Sequence, residues 1–421
     1  MNRTTLLTGI PSAIISAVME HGAGRRHRRS TPAASGCDVM AKNKSLYWEA
    51  EQLLKEKPNA RYYFILSGRA KGKTYSVLRN SLKDQHRGRG LFAYVRRYDE
   101  EIKQRNLQEL FSAQNLEKIS NGKYNKISFW RGFFYWEKWE YDDEKEELKR
   151  IYKNPEPCGV ALALNTWERD KGQDIGAAYG GFKNIIFDEA ITGLSYLVDE
   201  FQKFQNVISS LVRQRDEQDT KIWLLANPLS KWCPYFPNLG ITKKMIEKPN
   251  QRFEISYPNT DMTTIFEYIG TASDEQSPQD KIYKSFFAFP NSETRSRSIT
   301  DGFWELADSM QLPSQVYKNS ERKKKVLLYF GEEWIKGEIM RYNETGVYYL
   351  VWSPSRKPKK GEYYFILNAV PDRYAIVGTN TGHPYAELLN KIMQTNQIYY
   401  SDNTVADLFH GFIKEARKIV R

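Results

Sequence analysis

A strand-like run, Phe64-Ile65-Leu66, opens into Ser67-Gly68-Arg69-Ala70-Lys71-Gly72-Lys73-Thr74, and helically spaced residues follow from Tyr75 to Leu82. Small residues in such a loop let successive backbone N–H groups curl round an anion, and the helix start behind them points positive charge at it. Lys73 would reach the β- and γ-phosphates of a nucleotide, and the Thr74 hydroxyl would ligate Mg²⁺. The usual pattern has Gly six residues before the lysine. Here Ser67 stands there, and Gly68 is expected to supply the turn instead. A second element is Asn184-Ile185-Ile186-Phe187-Asp188-Glu189, an apolar strand ending in adjacent carboxylates. Asp188 suits a metal held through its water shell, and Glu189 suits the polarisation of an attacking water. Acidic residues at a strand end are common alone. Paired with the loop, at a spacing that leaves room for intervening strands, they mark an ATPase site using ATP and Mg²⁺. A third element, Ile222–Pro228, puts the Asn227 amide at a strand tip, where it can sense a γ-phosphate, although Asn-Pro is first of all a turn signal.

These groups need a scaffold, and the hydrophobic pattern supplies one. Strand-length apolar runs at Tyr62–Leu66, Leu91–Val95, Ile127–Trp136, Gly159–Leu164, Asn184–Phe187 and Ile222–Ala226 are interspersed with helical spacing at Ser45–Lys57, Tyr75–Leu82, Tyr98–Leu110 and Phe201–Val212. Alternation of this kind predicts an α/β fold with a mostly parallel sheet covered on both faces. Residues 271–321 are rich in Ser, Thr, Asp and Pro and read as a linker, with a small helix expected at Gly302–Met310. Short strands then recur at Val326–Phe330, Trp334–Arg341, Val347–Trp352, Tyr363–Leu367 and Tyr374–Val377. Helices are expected at Tyr385–Gln394 and Thr404–Val420, the last with a core stripe Val405, Leu408, Phe409, Phe412, Ile413 and Ala416 and with Asn403 or Thr404 as cap. The expected division is therefore 1–39 as a flexible leader, with Met40 as a candidate natural start after it, 40–270 as the P-loop domain, 271–321 as linker, and 322–421 as a smaller α/β domain.

The chain has 421 residues and a net charge of +12. That excess points to a polyanionic partner. No stretch approaches 18 uninterrupted apolar residues, so no membrane span is expected. Three separated cysteines and five scattered histidines exclude a disulfide framework and a zinc constellation.

With these motifs laid out in order, the chain resembles the DNA-packaging ATPases of viruses, the terminase large subunits. Ser67–Thr74 is similar to their deviant Walker A loop, in which Arg69 is the arginine at the third place. Ile185–Glu189 resembles their Walker B segment with its catalytic glutamate, and Leu224–Pro228 their coupling motif. Tyr94-Val95-Arg96-Arg97-Tyr98, a strand ending in paired arginines, is similar too. The length from Met40 most resembles the phi29-type ATPases of small tailed phages. The resemblance implies an ASCE/RecA-like P-loop fold and ATP-driven movement of double-stranded DNA into a procapsid. It also implies a homo-oligomeric ring, pentameric by likeness, that docks on the portal or connector and procapsid, with or without a packaging RNA. The setting would be the host cytoplasm, transiently at the portal vertex. It further implies an arginine given by the neighbouring subunit, for which Arg213 and Arg215 are the candidates and Lys171 a lesser one, while Arg69 could act in cis.

Relatives often carry an RNase H-like nuclease at the C-terminus, whose chemistry needs converging carboxylates on two metal ions. Val326–Phe330 has none, and Glu332, Glu333, Asp402 and Asp407 assemble into no triad. The expectation is a degenerate nuclease fold kept as a DNA-binding or docking surface. Its contacts would come from Lys323, Lys324 and Lys325 and from Lys357, Lys359 and Lys360, although charge runs are most often solvated faces. An active nuclease, a helicase-type remodelling ATPase and a non-enzymatic docking protein stay open as alternatives.

Overall fold

The computed structural model describes residues 33–39, 47–167, 181–193, 196–212, 219–270, 304, 309–368, 370–378, 382–394 and 397–419. They fall in two compact units, one within Ser30–Glu305 and one within Leu306–Arg421.

The first unit is built on one sheet. Its strands are β1 (Ala33–Val39), β2 (Tyr62–Ser67), β3 (Leu91–Arg96), β4 (Lys126–Trp130), β5 (Phe133–Asp142), β6 (Glu147–Lys153), β7 (Gly159–Ala163), β8 (Phe182–Asp188), β9 (Lys221–Ala226), β10 (Gln251–Ser256) and β11 (Thr263–Ile269). The sheet order is β1-β10-β11-β2-β9-β8-β3-β7-β5-β4, with β6 paired to β5. From β11 to β7 every neighbouring pair is parallel. The central strands are almost wholly buried, which is why β2, β7, β8 and β9 read as continuous apolar runs and not as alternations. β9 lies between β2 and β8, so the strand that leads into the Gly-rich loop and the strand that ends in Asp188 are separated by the strand that ends before Asn227. This 5-1-4-3-2 order (β11-β2-β9-β8-β3) is that of an ASCE-type P-loop sheet. It brings the C-terminal ends of all three strands together, at the edge where open α/β sheets bind ligands.

Two helices matter most for the site. In α1 (Ala50–Glu56) the Ala50 N–H donates to Ser76 Oγ at 2.8 Å, tying the helix to α2 (Lys73–His86) behind the loop. Below the site, Trp223 stacks on Tyr63 with ring centroids 4.5 Å apart, and its indole N–H donates to Asn184, which in turn donates to Asp84 on α2. Burying side chains of this size stabilises by about 2–3 kcal/mol each, and here the buried polar atoms are also satisfied.

Three expectations change. Ala33–Val39, within the stretch read as a leader, runs antiparallel to β10 as an edge strand. Tyr98–Leu110 is not one helix: a 3-10 turn (Asp99–Ile102) and a single helical turn (Gln104–Leu107) are separated by an extended Lys103 at ψ 149°. Glu101 draws the chain back by accepting from the Tyr98 N–H at 2.9 Å and from Arg96 at 2.6 Å. Of the segment read as linker, Trp304 is anchored in the first unit through the Ile246 carbonyl, and residues 309–321 belong to the second. The rest of it, with most of the helix expected at Gly302–Met310, lies outside the described residues.

The second unit holds β12 (Ser320–Phe330), β13 (Glu333–Tyr342), β14 (Tyr348–Pro354), β15 (Tyr364–Ile366), β16 (Ala375–Val377) and β17 (Ile398–Tyr400), in the order β16-β15-β12-β13-β14-β17. Three consecutive antiparallel strands, followed by two that run parallel to the first on its other side, give the sheet of an RNase H-like fold. Short loops, not crossover helices, join β14, β15 and β16. The last helix, Asn403–Ile419, lays Val405, Leu408, Phe409, Phe412 and Ala416 on this sheet, with the Phe409 ring 4.6 Å from Trp352. Its cap is Asp402, which accepts from the Val405 N–H at 3.0 Å; Asn403 instead accepts from Ser309.

Candidate active site

The loop after β2 reverses direction at Ala70 (φ 57°) and Gly72 (φ 82°), and not at Gly68 as expected. At Gly72 a Cβ would add a strained φ to a tight 3.3 Å contact with Tyr47, so glycine is favoured there. Ser67 is fully buried and its hydroxyl donates to the Gly68 carbonyl at 2.9 Å, so it closes the start of the loop where glycine usually stands. Lys71 is buried and its carbonyl accepts from the Trp48 N–H at 3.0 Å, while Arg69 is exposed at the loop crest.

Lys73 runs back under this loop. Its ammonium donates to the Ser67 and Gly68 carbonyls at 3.4 Å each and to Asn227 Oδ1 at 2.5 Å. Burial lowers its pKa to about 8, only partly opposed by Asp188 and Glu189. The Thr74 hydroxyl lies 3.2 and 3.3 Å from the two oxygens of Asp188, a hydroxyl and carboxylate pair suited to holding Mg²⁺ between them. Among the described residues no group of three or more His, Cys, Asp or Glu could hold a metal ion, so any metal here would take its remaining ligands from substrate and water.

Two residues of the Tyr94–Tyr98 segment, to which the sequence reading gave no role of their own, complete it. Tyr94 on β3 donates from its hydroxyl to Asp188 at 3.1 Å, and burial, reinforced by Asp188, pushes its pKa well up. Arg96, at the tip of β3, donates to Glu189 Oε2 at 2.8 Å and to Glu101, and lies 3.9 Å from Asp188. Burial works against its charge, but Tyr94 and the carboxylates of Glu189, Glu101 and Asp188 outweigh that and raise its pKa. The signal in the sequence was the pair Arg96-Arg97 closing an apolar strand; that Arg96 is the one facing the two acids follows from β3 lying parallel and next to β8. Arg213, Arg215 and Lys171 lie outside the described residues.

In the second unit Lys323 pairs with Glu321, Lys325 donates to Glu362 at 2.9 Å, and Lys324 sits over the Tyr385 ring. Lys357, Lys359 and Lys360 are exposed on the loop after β14. An open groove on this unit is lined by Arg322, Lys325, Lys336 and Arg356 around the buried Glu338, which accepts from Arg322 and Lys336 at 3.0 Å each.

Gly-rich loop, buried lysine, hydroxyl–carboxylate pair and strand-tip amide, on a sheet of this order, define a P-loop NTPase. Residues 42–262 match the model of the podovirus DNA encapsidation protein (Gp16) family, and the chain belongs to that family. It is 24% identical over 218 residues to the DNA packaging protein of Bacillus phage phi29, a match covering 51% of this chain and 54% of the relative. To the DNA packaging protein of Bacillus phage B103 it is 25% identical over 193 residues, covering 45% and 50%. The matched stretch thus spans about half the length of these curated relatives. The fold is similar to a chain of the bacteriophage phi29 viral genome packaging motor assembly, with a TM-score of 0.50 and 14% identity, over 89% of this chain and all of that one.

Proposed function

We propose that this chain is an ATP-hydrolysing motor subunit that moves double-stranded DNA into a viral procapsid. The observation that carries the reading is the meeting of Lys73, Thr74, Asp188, Glu189 and Asn227 at the C-terminal ends of β2, β8 and β9. Ser67–Thr74 would cradle the phosphates, and Thr74 and Asp188 would hold Mg²⁺, which when bound neutralises charge on the phosphoryl oxygens. Lys73 trades its contact with Asn227 for the substrate's phosphates, so the amide is released when nucleotide arrives. Glu189 accepts a proton from the attacking water. An arginine of a neighbouring copy, Arg213 or Arg215, would complete the site, in keeping with a ring of subunits at the portal. The part that hydrolyses ATP would be 40–270. The part from 322 to 421 would grip DNA or dock on the procapsid through its lysines, with or without a packaging RNA.

Phosphate release measured with and without duplex DNA tests this. Lys73→Ala and Glu189→Gln should each lower DNA-stimulated turnover by about 10²–10³-fold or more, and the wild-type chain should translocate on duplex without separating its strands. Turnover indifferent to Lys73→Ala would sink the proposal.

A further inference from the structure

The paired arginines that leave β3 point in different directions. Arg96 faces the acids of the site, while Arg97 is 3% exposed and turned inward. Arg97 Nε and Nη2 donate to the two oxygens of Glu200, each at 2.9 Å. Its Nη1 donates to the Glu189 carbonyl at 3.1 Å and its Nη2 to the Ala190 carbonyl at 3.0 Å. The guanidinium also lies over the Phe187 and Tyr196 rings. Glu200, 2% exposed, accepts in addition from the Leu197 N–H at 2.8 Å and the Tyr235 hydroxyl at 3.0 Å.

A buried ion pair is by itself weak grounds for a role, because desolvation cancels much of its attraction. The two carbonyls make the difference. They belong to Glu189 and its successor, and Glu189 sits at φ 63°, a left-handed backbone that a non-glycine residue adopts only when its surroundings hold it. On the other side the Ala190 N–H donates to the Leu225 carbonyl of β9 at 2.9 Å. The peptide that carries the Glu189 carboxylate is therefore fixed from both flanks, and Arg97 supplies one of them.

We infer that Arg97 is a positioning residue for hydrolysis: by holding the Glu189 and Ala190 carbonyls it fixes the turn that aims the Glu189 carboxylate at water, and Glu200 and Tyr235 hold Arg97 in place. The inference rests on the reading of Glu189 as the general base. Lysine at 97 would keep the positive charge but cannot span two carbonyls and a bidentate carboxylate together.

The test uses the full chain, a fluorescent ATP analogue for affinity, radiolabelled ATP for turnover and thermal unfolding for integrity. With Arg97→Lys, affinity should stay within about threefold while turnover falls by about 10²-fold. Tyr235→Phe, which removes one hydrogen bond to Glu200, should lose turnover several-fold with little change in melting temperature. In the Glu189→Gln background Arg97→Lys should add no further loss, because both changes act through one carboxylate. A merely structural Arg97 would lower affinity and turnover together, and its loss would add fully to that of Glu189→Gln; either result overturns the inference, as does wild-type turnover in Arg97→Lys. If Arg97→Lys does not fold, unchanged turnover in Tyr235→Phe at an unchanged melting temperature overturns it. Insensitivity of the wild-type chain to Lys73→Ala is a separate failure, that of the ATPase reading itself.

Discussion

Lys73 is an ammonium held in the protein interior before any phosphate meets it, and that has a measurable consequence. Burial brings its pKa down to about 8, from an ordinary value of 10.5. A phosphate at the same place favours the charged form, so binding requires the protonated lysine. As pH rises through about 8 the free chain gives that proton up, and ATP affinity should fall by about tenfold per pH unit until the pKa of the bound form is reached. Below pH 7 affinity should be flat with respect to this group. Dissociation constants for an ATP analogue from pH 6.5 to 9.5 check this, with Lys73→Ala as a weak, pH-independent baseline; equal affinity at pH 7 and 9 in the wild-type chain would count against it. At this scale most of the residues that the fold brings together were legible in the sequence, Asp188, Glu189 and Asn227 at strand ends and Lys73 and Thr74 at the helix start behind the loop. The sequence could not separate Arg96 from Arg97, because adjacent residues of one type differ only in which way the end of β3 turns them.

The loop between β2 and α2 is where the element departs from its sequence pattern. Two residues take left-handed backbone, and one of them, Ala70, carries a Cβ. An alanine there is strained by about 1–2 kcal/mol, and glycine gives back about 0.4–1 kcal/mol through a freer unfolded chain, so Ala70→Gly should leave stability unchanged or raise it by up to about 1 kcal/mol. Gly72→Ala adds both a strained φ and a tight contact with Tyr47, and should cost about 1–2 kcal/mol while weakening nucleotide binding. Urea midpoints for both variants and analogue affinity for Gly72→Ala check this; a neutral Gly72→Ala would contradict the geometry. The strands themselves were legible wherever both faces are buried, as in β2, β8 and β9, because nothing interrupts the apolar run. Within the first unit legibility ended after Ala226, where β10 and β11 were not read as strands. In β11 the buried Glu267 interrupts the pattern, and it is tolerated only because Arg252 and Trp48 donate to it. The start of β12 was hidden for a similar reason: Arg322–Lys325 reads as a solvated charge run, yet Arg322, Lys324 and Lys325 pair with β13 and Lys323 sits at a bulge between them.

Across the whole chain the charge is uneven, with the net +12 concentrated toward the second unit, and its cations divide by what they are already doing. Arg322 and Lys336 neutralise the buried Glu338, whose pKa is lowered because these two donors, helped by Tyr317, outweigh the effect of its burial. Removing either would strand a buried carboxylate and damage the fold. Lys324, Lys357, Lys359 and Lys360 are exposed and hold up no such group, so they can be lost without cost to the core. If the proposed motor grips duplex DNA through these four lysines, each phosphate they neutralise releases counterions and steepens the salt dependence of binding. Changing all four to Gln should then weaken binding to duplexes of unrelated sequence equally and flatten the slope of log K against log salt by about 3–4. Basal ATP turnover without DNA should not change, since the proposed hydrolytic site belongs to the other unit. Fluorescence anisotropy over a range of salt concentrations decides the matter. An unaltered slope would move the grip to the unit that holds β2, β8 and β9, whose own excess of charge is smaller, and would leave the basic face of the second unit for docking on the procapsid.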